Sequence, residues 1–197
     1  MNRNYDSEKI RIFIAIPLPL EVTGELKKLL AYLKPLSKGI KWVNPESIHL
    51  TLKFLGNLSA EELAKVFAGM KNIFQDPPPG FRLTAAGLGA FPSIKGPRVL
   101  WAGISGSGME ALIQLQKLIE EEMSWQGFPK EERKFSPHLT LARIKFAERL
   151  TELTQAFSSY NFPATEFLVS EILVMRSELR PGGAVYSIQQ KYPLSLG

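Results

Sequence analysis

Apolar residues recur along this chain in a repeating order of strand and helix patterns. Arg11 to Pro17 is β-branched and apolar and reads as a strand; it runs into a helical pattern over Glu21 to Leu33, with Leu26, Leu29, Leu30 and Leu33 at helical spacing. Ile48 to Leu55 is a second strand. Ser59, with Glu62 three positions on, has the form of a capping box and starts a helix that runs to about Phe74 and stops at the QDPPPG run over 75–80. A strand over Phe81 to Gly87 completes the order strand, helix, strand, helix, strand.

That order then repeats. Arg98 to Ile104 reads as a strand, Met109 to Met123 as an amphipathic helix, Pro137 to Ile144 as a strand, Ala147 to Ser158 as a helix and Thr165 to Arg176 as a strand. The recurrence predicts one domain over 1–197 built from two related lobes, approximately 11–88 and 98–176. The RPGG run at 180–183 predicts a tight turn into a C-terminal hairpin strand over 184–192.

The second strand of each lobe carries the same word. The chain has two histidines, and each opens His-Leu-Thr-Leu, at His49 in IHLTLKFLG and at His138 in FSPHLTLARI. Strand side chains alternate, so His49 and Thr51 share one face while Leu50 and Leu52 take the other, and His138 and Thr140 stand likewise against Leu139 and Leu141. Two lobes packed about an approximate two-fold axis bring both His/Thr faces to a single cleft.

Paired imidazoles and hydroxyls define a chemistry. Histidine titrates near 6.5, so one ring can serve as base and the other as acid in an in-line displacement, each worth about 10² to 10⁴ in rate. Threonine hydroxyls can donate to the non-bridging oxygens of a phosphate. The inventory fits phosphodiester cleavage with no metal and no cofactor. A single strand histidine is more often a hydrogen-bonded structural residue; the matched placement of two is what a purely structural reading leaves unexplained.

Composition adds bounds. An apolar content of 45% and a charged content of 22% are ordinary for a soluble globular protein. The 24 Lys+Arg against 19 Asp+Glu give +5, a modest excess that favours a phosphate or polyanion ligand without requiring one. Zero cysteines exclude disulfides and thiolate chemistry. RIFIAIPLPL at 11–20, preceded by the acids Asp6 and Glu8, suits a first strand better than a signal peptide, and no apolar run approaches the length of a membrane span. The expectation is a cytoplasmic monomer.

These motifs carry a resemblance. RIFIAIPLP, WVNPESIHLTLKFLG, the 89–104 segment GAFPSIKGPRVLWAGI, FSPHLTLARI and SELRPGGAVYSI together resemble the 2H phosphoesterase superfamily, and within it the RNA 2′,3′-cyclic phosphodiesterases, also called 2′-5′ RNA ligases. The resemblance implies a bilobal α+β fold with antiparallel sheets lining a central cleft and helices outside. It implies metal-independent hydrolysis of a terminal 2′,3′-cyclic phosphate on RNA, tRNA fragments included, or on cyclic nucleotides, to a 2′-phosphomonoester, with 2′-5′ ligation in reverse. It assigns His49 as proton donor, His138 as proton acceptor, and Thr51 and Thr140 as phosphate holders; the two words are too alike for sequence to make that assignment itself.

Further candidates surround these four. Lys53 shares the Thr51 face by alternation, and is either a phosphate contact or a solvated lysine. Arg143 reaches the cleft only if its strand twists or bulges. In the FPSIKGPR loop, Phe91 could stack a base or fill the core, and Lys95 and Arg98 could neutralise a backbone phosphate. Trp42 and Trp101 follow apolar strand patterns and read as core. Two other classes compete: a non-catalytic binding module for RNA ends, and a metal-dependent hydrolase, against which stands the lack of an acidic ligand near either word.

Overall fold

The computed structural model describes residues 9–37, 39–145, 150–180 and 183–195. The chain order is β1 (Ile10–Pro17), α1 (Leu20–Leu33), β2 (Lys41–Trp42), β3 (His49–Leu58), α2 (Ala60–Ile73), β4 (Phe81–Phe91), β5 (Val99–Ser105), α3 (Met109–Trp125), β6 (His138–Arg143), α4 (Thr151–Ser159), β7 (Thr165–Val169), β8 (Glu171–Arg180) and β9 (Gly183–Pro193). The predicted capping box forms. Ser59 Oγ accepts from Glu62 N at 3.2 Å while the Glu62 carboxylate accepts from Ser59 N at 2.7 Å, a device typically worth about 1 kcal/mol. The helix expected over Ala147–Ser158 appears as α4, and 147–149 lie outside the described residues.

The strands form one antiparallel sheet in the order β7-β4-β5-β6-β3-β1-β8-β9, with β2 alongside β6. Two expectations change here. The single strand expected over Thr165–Arg176 is two strands: β7 pairs with β4 and β8 with β1, so the chain changes partners across Ser170. Because β7 and β8 stand near opposite ends of the order yet are one residue apart, the sheet must curl until its ends approach. Ser170 and Glu171 are the one polar step between the apolar runs FLV and ILVM, and an apolar pattern reports burial and not the identity of the neighbouring strand.

The lobe boundaries change with it. β4, placed with β1 and β3 by the 11–88 boundary, instead pairs with β5 and β7, and β8 and β9 return to β1. One half of the sheet is therefore the continuous stretch β4 to β7, and the other joins β1 and β3 to the C-terminal hairpin. The pair Arg180↔Gly183 closes that hairpin, while Pro181 and Gly182 lie outside the described residues.

The helices cover one face of the curl. Val22, Leu26, Leu29, Leu30 and Leu33 of α1 and Leu112, Leu115 and Ile119 of α3 are buried with Leu50, Leu52, Leu139 and Leu141 from the two words. Each such leucine contributes about 1.5–3 kcal/mol by leaving water, so the words are anchored through their leucines. Their other face is left to the cleft. Among the described residues no helix is long and apolar enough to cross a membrane.

Candidate active site

The two words meet at the middle of the sheet. Leu50 of β3 lies opposite Leu139 of β6 in an antiparallel pair. That register sets His49 beside Thr140 and Thr51 beside His138, all four on the face away from the leucines. The histidines are diagonal neighbours, a relation that in a regular pair spans about 7–8 Å, room for a phosphate between them.

Each ring is held the same way. His49 Nδ1 lies 2.8 Å from the Ser47 carbonyl oxygen and His138 Nδ1 lies 2.7 Å from that of Ser136. A carbonyl can only accept, so both Nδ1 atoms carry the proton and both Nε2 atoms remain for chemistry. The serine two positions before each histidine makes the repeated word longer than His-Leu-Thr-Leu, a signal present in SIH and SPH that the sequence reading passed over. Burial lowers the His49 imidazole below its ordinary 6.5, an effect its bond to Ser47 partly offsets.

Beyond the threonines both strands bulge. In β3 the pairing with β1 shifts between Thr51 and Lys53, and in β6 the pairing with β5 shifts between Thr140 and Ala142, so Leu52 and Leu141 are each an extra residue. Alternation reverses past each bulge. Lys53 turns to the helix side, where it is 4% exposed and its Nζ donates to Glu120 Oε2 at 2.6 Å and to the Pro129 carbonyl at 2.9 Å. The expected phosphate contact at Lys53 is thereby corrected: the lysine is a buried strut to α3. The β6 bulge at Leu141 returns Arg143 to the cleft face opposite Val99 and Lys41, the condition on which its candidacy depended.

Aromatic rings flank both histidines. Phe13 stacks on His49 at 4.6 Å and Tyr186 meets it edge-on at 5.1 Å, while Phe91 meets His138 edge-on at 5.1 Å. Burial pushes the Tyr186 phenol up, and the charges of Arg143 and Arg11 pull it part of the way back, so both guanidinium groups stand within electrostatic reach of the His49 side. Sequence reasoning missed Tyr186 and Phe13. It also placed Trp101 in the core, yet Trp101 pairs with Thr140 and its ring lies against Gly89 on the cleft face, next to Phe91 at 5.3 Å. Trp42 does pack on the core, with its Nε1 donating to Ser37 Oγ.

Lys95 and Arg98 are exposed in the connection from β4 to β5. The Arg98 carbonyl accepts from Ile144 N at 2.9 Å, which ties this connection to the end of β6 that carries Arg143. A pocket of about 280 Å³ opens beside His49. A larger groove of about 540 Å³, lined by Arg82, Gly108 and Leu168, has no histidine in its wall. Among the described residues no group of three or more His, Cys, Asp or Glu is placed to hold a metal ion.

Two imidazoles with unoccupied Nε2 atoms, two hydroxyls and a guanidinium on one cleft face form the kind of site that handles an anionic ester. The chain belongs to the LigT-like phosphoesterase family, whose model, LigT like Phosphoesterase, matches residues 16–101 and 103–186, one segment for each histidine word. It is 35% identical over 157 residues to the RNA 2′,3′-cyclic phosphodiesterase of Aquifex aeolicus, covering 78% of this chain and 81% of that one. To the enzyme of the same name from Methanocaldococcus jannaschii it is 32% identical over 184 residues, 93% of this chain and all of the relative. Among solved structures, that of E. coli LigT complexed with 3′-AMP superposes with a TM-score of 0.73 at 26% identity, covering 95% of this chain and 99% of that one.

Proposed function

We propose that this protein hydrolyses the 2′,3′-cyclic phosphate at an RNA end to a 2′-phosphomonoester, with the two histidines as acid and base. The observation that carries the reading is the matched pair of Nδ1–H bonds to Ser47 and Ser136, which reserves both Nε2 atoms. Relatives along most of the chain are RNA 2′,3′-cyclic phosphodiesterases, and an E. coli relative binds 3′-AMP.

His138 Nε2 takes a proton from water as its oxygen bonds to phosphorus, the bond from phosphorus to O3′ breaks, and His49 Nε2 protonates the departing O3′. Thr51 and Thr140 donate to the non-bridging oxygens, and Arg143 offsets the phosphoryl charge. An acid must be charged before it can give a proton, and burial disfavours that at His49. The phosphodiester anion supplies the opposite charge when it binds, which favours imidazolium. With a 5′-hydroxyl in place of water, the same forward steps form a P–O5′ bond as P–O3′ breaks and join two RNA ends through a 2′-5′ linkage, and run backwards they cleave it; tRNA half-molecules are suitable ends.

The test is turnover of a short RNA ending in a 2′,3′-cyclic phosphate, in chelator, by wild type, His49→Ala and His138→Ala. A 2′-phosphate product lost in both variants supports the reading. Binding of the RNA without any product would move the protein to the class of RNA-end binding modules.

A further inference from the structure

We propose that the end of the sheet where β2, β6 and β5 meet is a track for the backbone phosphates of single-stranded RNA, and that it makes an RNA chain a better substrate than a single cyclic nucleotide. The inference rests on the reaction proposed above and extends it along the chain. A cyclic phosphate at an RNA end is followed, through the 5′ oxygen of its ribose, by a second phosphate and then a third. Arg143 is engaged by the first, so the others need cations of their own.

The track is built on a repulsion. β2 sets Lys41 directly opposite Arg143 of β6, so the two project from one face with Cβ atoms about 4.5–5.5 Å apart. Like charges in that relation destabilise a sheet. Both side chains are exposed, and among the described residues neither makes an ion pair. Nor is β2 a loose end that can swing away. Trp42 packs on the core and donates from Nε1 to Ser37 Oγ at 3.1 Å, while Val43 N donates to the Leu141 carbonyl at 2.9 Å. The backbone thus holds Lys41 where an anion lying between it and Arg143 turns repulsion into attraction.

More cations gather at the same end. Arg98 N donates to the Phe91 carbonyl at 2.7 Å and Ile144 N to the Arg98 carbonyl at 2.9 Å, which closes the 91–98 connection and fixes its base beside β6. Lys95 and Arg98 of that connection, and Lys145 two residues past Arg143, are exposed and also lack an ion pair among the described residues. Segments 39–49, 91–98 and 138–145 together hold Lys41, Lys95, Arg98, Arg143 and Lys145 against one carboxylate, Glu46. Neighbouring strands lie about 4.8 Å apart, so β5 to β2 spans about 10 Å, room for more than one phosphate of a nucleic-acid strand. The basic run at 130–134 is different: Lys130, Arg133 and Lys134 stand there with Glu131 and Glu132, and the Glu131 carboxylate accepts from Arg133 N at 3.2 Å. Those charges largely cancel. Positive charge left uncancelled on one exposed edge is what a polyanion uses.

The experiment compares kcat/KM for a nucleoside 2′,3′-cyclic phosphate with that for a tetranucleotide ending in the same group, at about 50 and about 200 mM salt. Three added phosphates should favour the tetranucleotide by about 10-fold or more at the lower salt. Most of that advantage should vanish at the higher, because three neutralised phosphates lose about 10- to 20-fold over this interval. Lys41→Glu and Arg98→Gln should each lower the ratio and flatten its salt dependence, Lys41→Glu the more, and Lys41→Arg should restore both. Lys117→Gln, at an exposed lysine of α3, should leave both where they are. A tetranucleotide turned over no faster than the mononucleotide at low salt, or an advantage that persists in both Lys41→Glu and Arg98→Gln, would overturn the assignment. Should wild type turn over neither substrate, the hydrolysis reading fails separately. Anisotropy titrations of a labelled tetranucleotide ending in a 2′-phosphate, competed with the nucleoside 2′-phosphate, then decide the track: tighter tetranucleotide binding that Lys41→Glu abolishes upholds it, and equal affinity ends it.

Discussion

The half of the sheet around His49 and the half around His138 share their backbone and differ in their filling. Both carry a serine carbonyl on Nδ1, a threonine on the same face and a one-residue bulge after it. Past the bulge the two part company: Lys53 and Phe54 in one half answer to Ala142 and Arg143 in the other, and Ala15 answers to Trp101. What both halves keep is what either histidine needs to present Nε2. What differs is the surroundings of each word: Trp101 packed on Gly89 beside the β6 word, and Ala15 with an open pocket beside the β3 word.

The largest expected effect tests what is shared. His49→Ala and His138→Ala should each lower kcat by about 10² to 10⁴, and the double variant should fall little further, since the two rings serve one displacement. Single-turnover assays on a cyclic-phosphate RNA would read this, and additive losses would argue for independent roles. Next comes the Arg143 guanidinium, whose counterpart after the other word is Phe54. Arg143→Met should cost roughly 10²-fold or more in kcat/KM, while Phe54→Leu at the matching position should cost far less; equal losses would remove the asymmetry.

The third test concerns stability. Lys53→Met leaves the half-buried Glu120 without its ion-pair partner, though still bonded by Gln116 and Glu131 N, and should destabilise by about 1–3 kcal/mol in urea unfolding, and adding Glu120→Met should recover most of that. Turnover per folded molecule should survive in the double variant, because the lysine faces the helices and not the phosphate. The smallest effect is in pH. The buried His49 ring resists protonation, whereas in the unfolded chain it takes a proton near 6.5; folding loses stability as pH falls below that value. Melting temperature should therefore drop less between pH 7 and 5 in His49→Gln than in wild type.

Much of this was legible in the chain. Alternation in His-Leu-Thr-Leu gave the correct faces for His49, Thr51, His138 and Thr140, because in both words the bulge falls just beyond the threonine. One residue further the same rule failed for Lys53, and it could place Arg143 only conditionally, since a bulge leaves no mark in residue type here. Trp101 looked like core because aromatic and apolar neighbours read alike; its true setting depends on Gly89, a strand away. Tyr186 reaches His49 through a strand at the far end of the chain, a distance no local pattern spans. The split at Ser170 was invisible for the same reason: strand partners are chosen in space.

The return of β8 and β9 to β1 also sets an order of assembly during synthesis. Strands β4 to β7 are consecutive, so the His138 half can pair fully while the ribosome is still adding residues. The His49 half cannot, because one edge of β1 has no partner until residues beyond Ser170 emerge. Until those residues emerge, the apolar IFIAI segment presents a bare hydrogen-bonding edge of the sort that recruits foreign strands or chaperones. A strand that precedes β4 to β7 in the chain is thus completed after them.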